Sequence, residues 1–115
     1  MTTPASNIRA ATALAVAIVA VATVFPAASA QAADAEVQID QFTFAPQRLT
    51  VKAGTTVTWT NDDDINHTVT SDDGATFDSG AFGHGLTFSF TAGQPGTYTY
   101  KCSIHPFMKG TIVVK

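Results

Sequence analysis

Residues 96–110 read Gly-Thr-Tyr-Thr-Tyr-Lys-Cys-Ser-Ile-His-Pro-Phe-Met-Lys-Gly, and this stretch decides the fold. Its first half alternates threonine and tyrosine up to Cys102, which is typical of a β-strand. Lys109-Gly110 then breaks the chain before the run at 111–114, which predicts a second strand. Residues 102–108 between them, called the ligand loop below, can bend around one ion, and Pro106 stiffens the loop by fixing its own φ.

The ligand loop contains three side chains that bind metals: Cys102, His105 and Met108, spaced C-x2-H-x2-M. A second imidazole, from His67 upstream, completes a thiolate, two imidazoles and a thioether, the ligand set of a blue-copper site. Thiolate and thioether suit Cu(I), whereas imidazole suits both oxidation states. We therefore predict one copper ion with four ligands: His67, Cys102, His105 and Met108. Nothing local demands a metal at His67, so the residues alone leave a structural histidine open there.

Most of the remaining chain also consists of short segments with the alternation of β-strands. They are residues 36–40, 49–51, 55–61 and 86–91, with turn residues between them. Val57 and Trp59 share one face of their segment, and Leu86, Phe88 and Phe90 share a face of another. The more irregular part, residues 62–85, is predicted to hold a strand at 67–70 between loops. The pattern predicts an all-β fold, a Greek-key antiparallel β-sandwich.

The first 32 residues have the layout of a secretory signal peptide. A polar start with one positive side chain, Arg9, precedes an uncharged run rich in alanine and valine, and small residues follow at 28–32. The alternative is an uncleaved membrane anchor, but the run has few of the large apolar residues that hold a helix in lipid. We expect cleavage, a location in the periplasm or at the extracellular face, and a mature domain of residues 33–115 without stable membrane insertion.

The predicted mature domain is small and acidic. It carries five basic side chains against nine acidic ones, a formal net charge of −4, so we expect no nucleic-acid partner. A domain of this size buries only about 60–65% of its unfolded surface and is usually marginal in stability. The single cysteine rules out an internal disulfide, which leaves a bound metal as the available brace.

From Val37 to Lys115 the chain resembles cupredoxins of the plastocyanin and amicyanin family, and its ligand loop is most similar to that of amicyanins. The matching stretches are residues 42–46, 49–55, 57–63, 67–69 and 96–110. The resemblance implies that His67 is the upstream copper ligand. Thr68 departs from the family pattern, which commonly has asparagine there. Its backbone N–H remains available to the Cys102 sulfur, and a contact between Thr68 and Ser103 would replace the asparagine as a brace.

The resemblance also implies a function: a one-electron carrier, not an enzyme, that passes electrons between redox partner proteins. His105 would be the partly exposed ligand, surrounded by apolar residues: Pro106, Phe107 and Phe82. Partners would dock briefly on this patch, since interfaces of redox proteins are typically small. We expect the protein to be a monomer.

Two other functions compete with the carrier. A protein that stores or delivers copper would have the same ligands, but it would be expected to carry additional methionine or histidine, and the only methionines are Met1 and Met108. An enzyme with Cys102 as nucleophile and His105 as base is disfavoured, because no carboxylate or amide is evidently placed to orient the histidine. We interpret His84 as a surface residue.

The acidic groups at 62–64 and 72–73 flank the segment that contains His67. They are interpreted first as solvated turn residues. The alternative is that they steer a basic partner, an effect that weakens as salt rises.

Overall fold

The computed structural model describes residues 34–115 and, before them, only the isolated positions 2, 15, 17, 18 and 20. Apart from those positions, the predicted signal peptide at residues 1–32 lies outside the described residues. In the part of the chain that is described, no helix is long and apolar enough to cross a membrane.

Eight strands make up residues 34–115. They are β1 (Asp34–Asp40), β2 (Thr43–Ala45), β3 (Arg48–Val51), β4 (Thr55–Asn61), β5 (Thr70–Ser71), β6 (Thr87–Ala92), β7 (Gly96–Lys101) and β8 (Lys109–Val114). One sheet has the order β2-β1-β4-β6 and the other has the order β3-β8-β7-β5. The all-β sandwich predicted from the sequence is confirmed.

Parallel pairing occurs in both sheets. β1 is parallel to β4, and β3 is parallel to β8, whereas the other pairings are antiparallel. The chain leaves the first sheet after β2, contributes β3 to the second, and returns as β4 beside β1. The sheets are therefore mixed, which differs from the antiparallel arrangement that the sequence predicts. Alternation specifies which face of a strand is buried, but it does not specify the direction of the neighbouring strand.

The core lies between the two sheets and follows the alternation of β4. Val57 and Trp59 are fully buried, and the threonines between the buried positions are partly exposed. The Trp59 ring packs edge-on against Tyr100 of β7, with 5.5 Å between the ring centroids. It also packs against Phe88 of β6 at 5.8 Å. Trp59 thus joins the two sheets, and the shared face of Val57 and Trp59 predicted from the sequence is confirmed.

Two local predictions were wrong. Leu86 precedes β6 and is exposed, so it does not share the partly buried face of Phe88 and Phe90. The strand predicted at 67–70 is reduced to an isolated bridge between His67 and Phe82, followed by the two-residue β5. The ladder is interrupted because two backbone N–H groups donate to side chains, that of Thr68 to the Cys102 sulfur and that of Val69 to the Ser79 hydroxyl.

Gly110 lies directly opposite Tyr100 in the β7–β8 pair. The Tyr100 ring covers Gly110 so closely that a Cβ atom at this position would overlap the ring. Tyr100 of β7 therefore packs directly on β8, the strand on the other side of the ligand loop, and the glycine is needed for this close approach.

The strand directions bring several chain segments to one end of the sandwich, called the site pole. β1, β4 and β7 end there, since Ile39 is opposite Asn61 and Lys101 is opposite Thr70. β8 starts at the same pole. The first residues of β1 and the last residues of β8 lie at the opposite pole, where Asp34 pairs with Thr56 and Val114 with Gly96.

Candidate metal centre

Two loops at the site pole carry the predicted ligands. Residues 62–67, called the brace loop, follow β4 and end at His67, which is fixed by two backbone hydrogen bonds with Phe82 (3.1 and 2.9 Å). The ligand loop follows β7. The N–H of Cys102 donates to the carbonyl of Met108 (3.1 Å), and the N–H of Met108 donates to that of His105 (2.9 Å). The ligand loop is thus closed by its own backbone.

Three of the four predicted ligands converge. The Cys102 Sγ atom lies 3.8 Å from His67 Nδ1 and 3.6 Å from His105 Nδ1. The three atoms all lie within 4.8 Å of one another. His67 and Cys102 are fully buried, and Met108, at the end of the same loop, is 2% exposed. One thiol and two ring nitrogens, together with the thioether of Met108 in the same loop as Cys102 and His105, form a donor set that fits copper.

Thr68 connects the sulfur and the two loops. Its N–H donates to Cys102 Sγ at 3.3 Å, and its hydroxyl accepts the N–H of Ser103 at 2.7 Å. The Thr68 and Ser103 hydroxyls are also hydrogen-bonded, at 2.9 Å. Both sequence predictions for Thr68, the backbone donor to sulfur and the contact with Ser103, are confirmed.

Asp63 is the site residue that sequence reasoning missed. Its Oδ2 atom lies 2.8 Å from His67 Nε2 and accepts the N–H of Phe42 at 3.0 Å. Its Oδ1 atom accepts the N–H of Gln41 at 2.8 Å. The Asp63 side chain is 12% exposed, whereas that of Asp64 is 98% exposed. The interpretation of residues 62–64 as solvated turn residues is therefore wrong for Asp63.

The electrostatics of Asp63 follow from these contacts. Burial by itself would raise the pKa of the carboxyl group, but hydrogen bonds from the Phe42 N–H, the His67 ring and the Gln41 N–H outweigh burial, so the pKa is lowered. Asp63 is therefore ionised at neutral pH and accepts from every donor around it. A carboxylate on the second nitrogen of a ligating histidine is common at metal sites, and the spacing Asp-x3-His is the one signal of it in the sequence.

Asn61, at the end of β4, braces the same loop from inside. Its side-chain amide donates to the carbonyls of Ile65 (2.9 Å) and Phe82 (3.0 Å). Its side-chain oxygen accepts the N–H of Asp63 at 2.9 Å. Asn61 is fully buried, so these bonds set the path of the brace loop.

Phe42 packs against both imidazoles. Its ring centroid lies 5.3 Å from that of His67 and 5.1 Å from that of His105, each in an edge-to-face arrangement. The two imidazole centroids are 5.1 Å apart. Phe42 is thus a common neighbour of two predicted ligands that come from different loops.

The surface around His105 is apolar. His105 is partly buried, and Phe107, whose ring lies 6.0 Å from it, is 71% exposed. Ile104 and Ile65 are also exposed, one in each loop. Phe82 is buried, so its predicted place in the exposed patch is wrong; the bridge to His67 keeps it inside. The exposed residues Phe107, Ile104 and Ile65 are called the apolar patch below.

His84 does not join the cluster. It is exposed, with Nδ1 3.2 Å from the carbonyl of Asp62 and 3.8 Å from the Asp64 carboxylate. The prediction that His84 is a surface residue is confirmed.

The chain is similar in sequence to known proteins. The sequence model of the family described as cupredoxin-like domain matches residues 12–114. Amicyanin-alpha of Methylorubrum extorquens is 39% identical over 90 residues, which cover 75% of this chain and 76% of that protein. Amicyanin of Paracoccus denitrificans is 34% identical over 96 residues, which cover 78% of this chain and 73% of that protein.

Among solved structures, a novel purple cupredoxin from Nitrosopumilus maritimus is similar to this chain. The two superpose with a TM-score of 0.66 and are 33% identical, over 71% of this chain and 100% of that chain.

Proposed function

The chain belongs to the cupredoxin-like family, and from that premise we propose that it is a blue copper protein that carries single electrons between redox partners and catalyses no reaction of its own. The observation that carries the proposal is the convergence of one buried thiol and two imidazole nitrogens within 4.8 Å. We assign one copper ion to four residues: His67, Cys102 and His105, whose donor atoms converge, and Met108 of the same loop, which is buried.

Each residue has a distinct role in this proposal. Cys102, as thiolate, and the two Nδ1 atoms hold the metal, and Met108 is a weaker fourth partner. Bound copper supplies the chemistry, a one-electron change between Cu(II) and Cu(I). The protein holds the ligands in place: the backbone closes the ligand loop, and Thr68 ties it to the segment that carries His67. Such bracing keeps the ligand positions nearly unchanged when the charge of the site changes.

Electron exchange would take place at the apolar patch. His105 is the predicted ligand that is partly exposed, and Phe107 and Ile104 flank it in the ligand loop. An apolar surface of this kind supports brief docking of a redox partner over a small area. The acidic side chains of Asp62 and Asp64, which are exposed, would add attraction to a basic partner at low salt.

The first test is the visible absorption spectrum after one equivalent of Cu(II) is added. We expect an intense thiolate-to-copper band, which is lost in Cys102→Ser and kept in His84→Ala, whose histidine lies outside the cluster. Because one relative of this fold is described as purple, the position of the band identifies the type of copper site. Wild-type protein without an intense band would contradict the proposal.

The docking role of the apolar patch is tested by electron self-exchange between reduced and oxidised protein, measured from NMR line widths. We expect Phe107→Ser to keep the visible band and to slow self-exchange at least tenfold. Gln94→Ser, an exposed change at the opposite pole, is the control and should leave the rate unchanged. A self-exchange rate equal to that of the control would remove the patch from the proposal.

We also propose export, with residues 1–32 as a cleaved signal peptide. The charged start, the uncharged run and the small residues at 28–32 support it. Mass spectrometry of the protein recovered from the expressing cells tests this: a chain that begins near residue 33 is expected, and a full-length chain in the membrane fraction would favour the anchor.

A further inference from the structure

We propose that Asp63 is a positioning residue of the metal site that acts through two links, one to the ring of His67 and one to the turn that carries Phe42. The proposal rests on the proposed function for the role of the metal. The hydrogen bonds of Asp63 do not depend on the proposed function, because they join groups of the chain itself.

The first link selects the nitrogen that His67 presents to the site. A neutral imidazole has one N–H and one unprotonated nitrogen, and the partner of the first determines which nitrogen is free to bind a metal. His67 Nε2 lies 2.8 Å from the Asp63 carboxylate, which can only accept a hydrogen bond. Nε2 therefore carries the proton, and Nδ1, 3.8 Å from Cys102 Sγ, is free.

The second link holds a backbone turn that would otherwise be unfavourable. Gln41 and Phe42 have φ values of 51° and 58°, in the left-handed region that residues other than glycine rarely adopt. The N–H groups of both residues donate to the Asp63 carboxylate. Consecutive N–H groups that converge on one anion stabilise such a turn. This β1–β2 turn places the Phe42 ring edge-on against the imidazole rings of His67 and His105.

One carboxylate thus connects three segments of the chain: the β1–β2 turn, the brace loop and, through Phe42, the ligand loop. Asp63 itself is held in place, because Asn61 accepts its backbone N–H at 2.9 Å. Asp64 is the natural comparison, since it lies in the same loop with a side chain that is 98% exposed. Asp64→Asn changes the charge of the loop by the same amount as Asp63→Asn without touching His67.

The experiment has a readout that needs no metal. In metal-free protein at pH 8, ¹⁵N NMR of the His67 ring identifies the protonated nitrogen. We expect Nε2–H in wild type and in Asp64→Asn. In Asp63→Asn an NH₂ at the Oδ2 position donates to His67, so the proton should move to Nδ1, and the Phe42 N–H loses its acceptor while the Gln41 N–H keeps the amide oxygen.

The second readout is copper affinity. Loss of an outer partner of a metal-binding histidine typically weakens metal binding 10–100-fold, and we expect this for Asp63→Asn, with a change below twofold for Asp64→Asn. Asp63→Ala removes both links and should weaken copper binding further. In the NMR spectrum of this variant, shifted aromatic resonances of Phe42 would show that its ring has lost its contacts with the two imidazoles.

Two results would overturn the proposal. One is an Nε2–H tautomer that persists in metal-free Asp63→Asn, and the other is copper affinity equal to that of Asp64→Asn. If wild-type protein shows no thiolate-to-copper band, the proposed function fails, but the tautomer of His67 still tests the link to Asp63. The two failures are therefore distinguishable.

Discussion

The ligand loop and the brace loop meet at the same pole but are built in opposite ways. The ligand loop carries three predicted ligands within seven residues, and its backbone bonds close it on itself. The brace loop carries one predicted ligand, His67, and its hydrogen-bond partners lie up to 22 residues away along the chain. The ligand loop supplies three donors and is closed by its own backbone. The brace loop supplies one donor, His67, and depends on contacts with distant segments of the chain. Loss of a predicted ligand from either loop should therefore abolish the visible band, whereas loss of a bracing side chain in the brace loop should weaken metal binding or cost stability.

The largest expected effect distinguishes the two predicted histidine ligands, His67 and His105, by their access to added imidazole. His67→Gly and His105→Gly should each lose the visible band in the presence of Cu(II). Added imidazole should restore the band only in His105→Gly, because His105 is partly exposed whereas His67 is fully buried beneath Phe42 and Phe82. Absorption during imidazole titration measures this. Equal rescue of both variants would show that the two loops give equal access to the site.

Asn61→Ala should weaken the brace loop from within. The substitution removes three hydrogen bonds and leaves the Ile65 carbonyl and the Asp63 N–H without this partner. Buried groups left unsatisfied cost about 1–3 kcal/mol each, so we expect the free energy of unfolding to fall by about 3 kcal/mol in urea denaturation. Asn66→Ala, an exposed change in the same loop, should stay within about 0.5 kcal/mol. A loss in Asn61→Ala as small as that of Asn66→Ala would mean that the loop holds its path without Asn61.

The stability of the protein at alkaline pH tests the burial of Tyr100, which lies in β7 just before the ligand loop. Burial raises the pKa of Tyr100 to about 12, against a smaller opposing effect of the neighbouring Trp59 indole. The folded state holds this proton more tightly than the unfolded chain, whose tyrosine pKa is about 10. The contribution of the Tyr100 proton to the free energy of unfolding is thus complete below about pH 10 and is lost between about pH 10 and 12. A pKa difference of about two units corresponds to roughly 2–3 kcal/mol.

The measurement is the urea midpoint at several pH values in wild type and in Tyr100→Phe. Stability of the wild type should decline more steeply above about pH 10, since the variant has no proton to lose at that position. Parallel curves would show that Tyr100 ionises as easily in the folded protein as in the unfolded chain.

The smallest expected effect concerns the tie between the loops. Thr68→Val keeps the N–H that donates to the sulfur but removes the hydroxyl that accepts from Ser103. We expect a loss of about 1–2 kcal/mol in the free energy of unfolding, since a partly buried N–H loses its acceptor, while the visible band keeps its position. Thr68→Ser retains the hydroxyl and should behave as wild type. A shifted band in Thr68→Val would assign the hydroxyl a direct part in tuning the metal.

The same contrast explains what could be predicted from the sequence. The ligand loop was predictable because its donors are close in sequence and flanked by alternating strands. The role of Asp63 was not, because its partners Gln41 and Phe42 lie 22 and 21 residues away and neither residue type indicates a left-handed turn. The strand at 67–70 was mispredicted because side chains of Cys102 and Ser79 accept the hydrogen bonds that a ladder would use. His67 was placed through the family resemblance rather than through any local pattern.

Both described ends of the sandwich, Asp34 of β1 and Lys115 directly after β8, lie at the pole opposite His105. A tether attached at either end, whether a linker to an electrode or a fused protein, would leave the molecule on the far side from the apolar patch. The proposed docking surface would then point away from the support and toward solution. The topology gives the domain a fixed polarity of attachment, so that it can be immobilised or fused without covering the apolar patch.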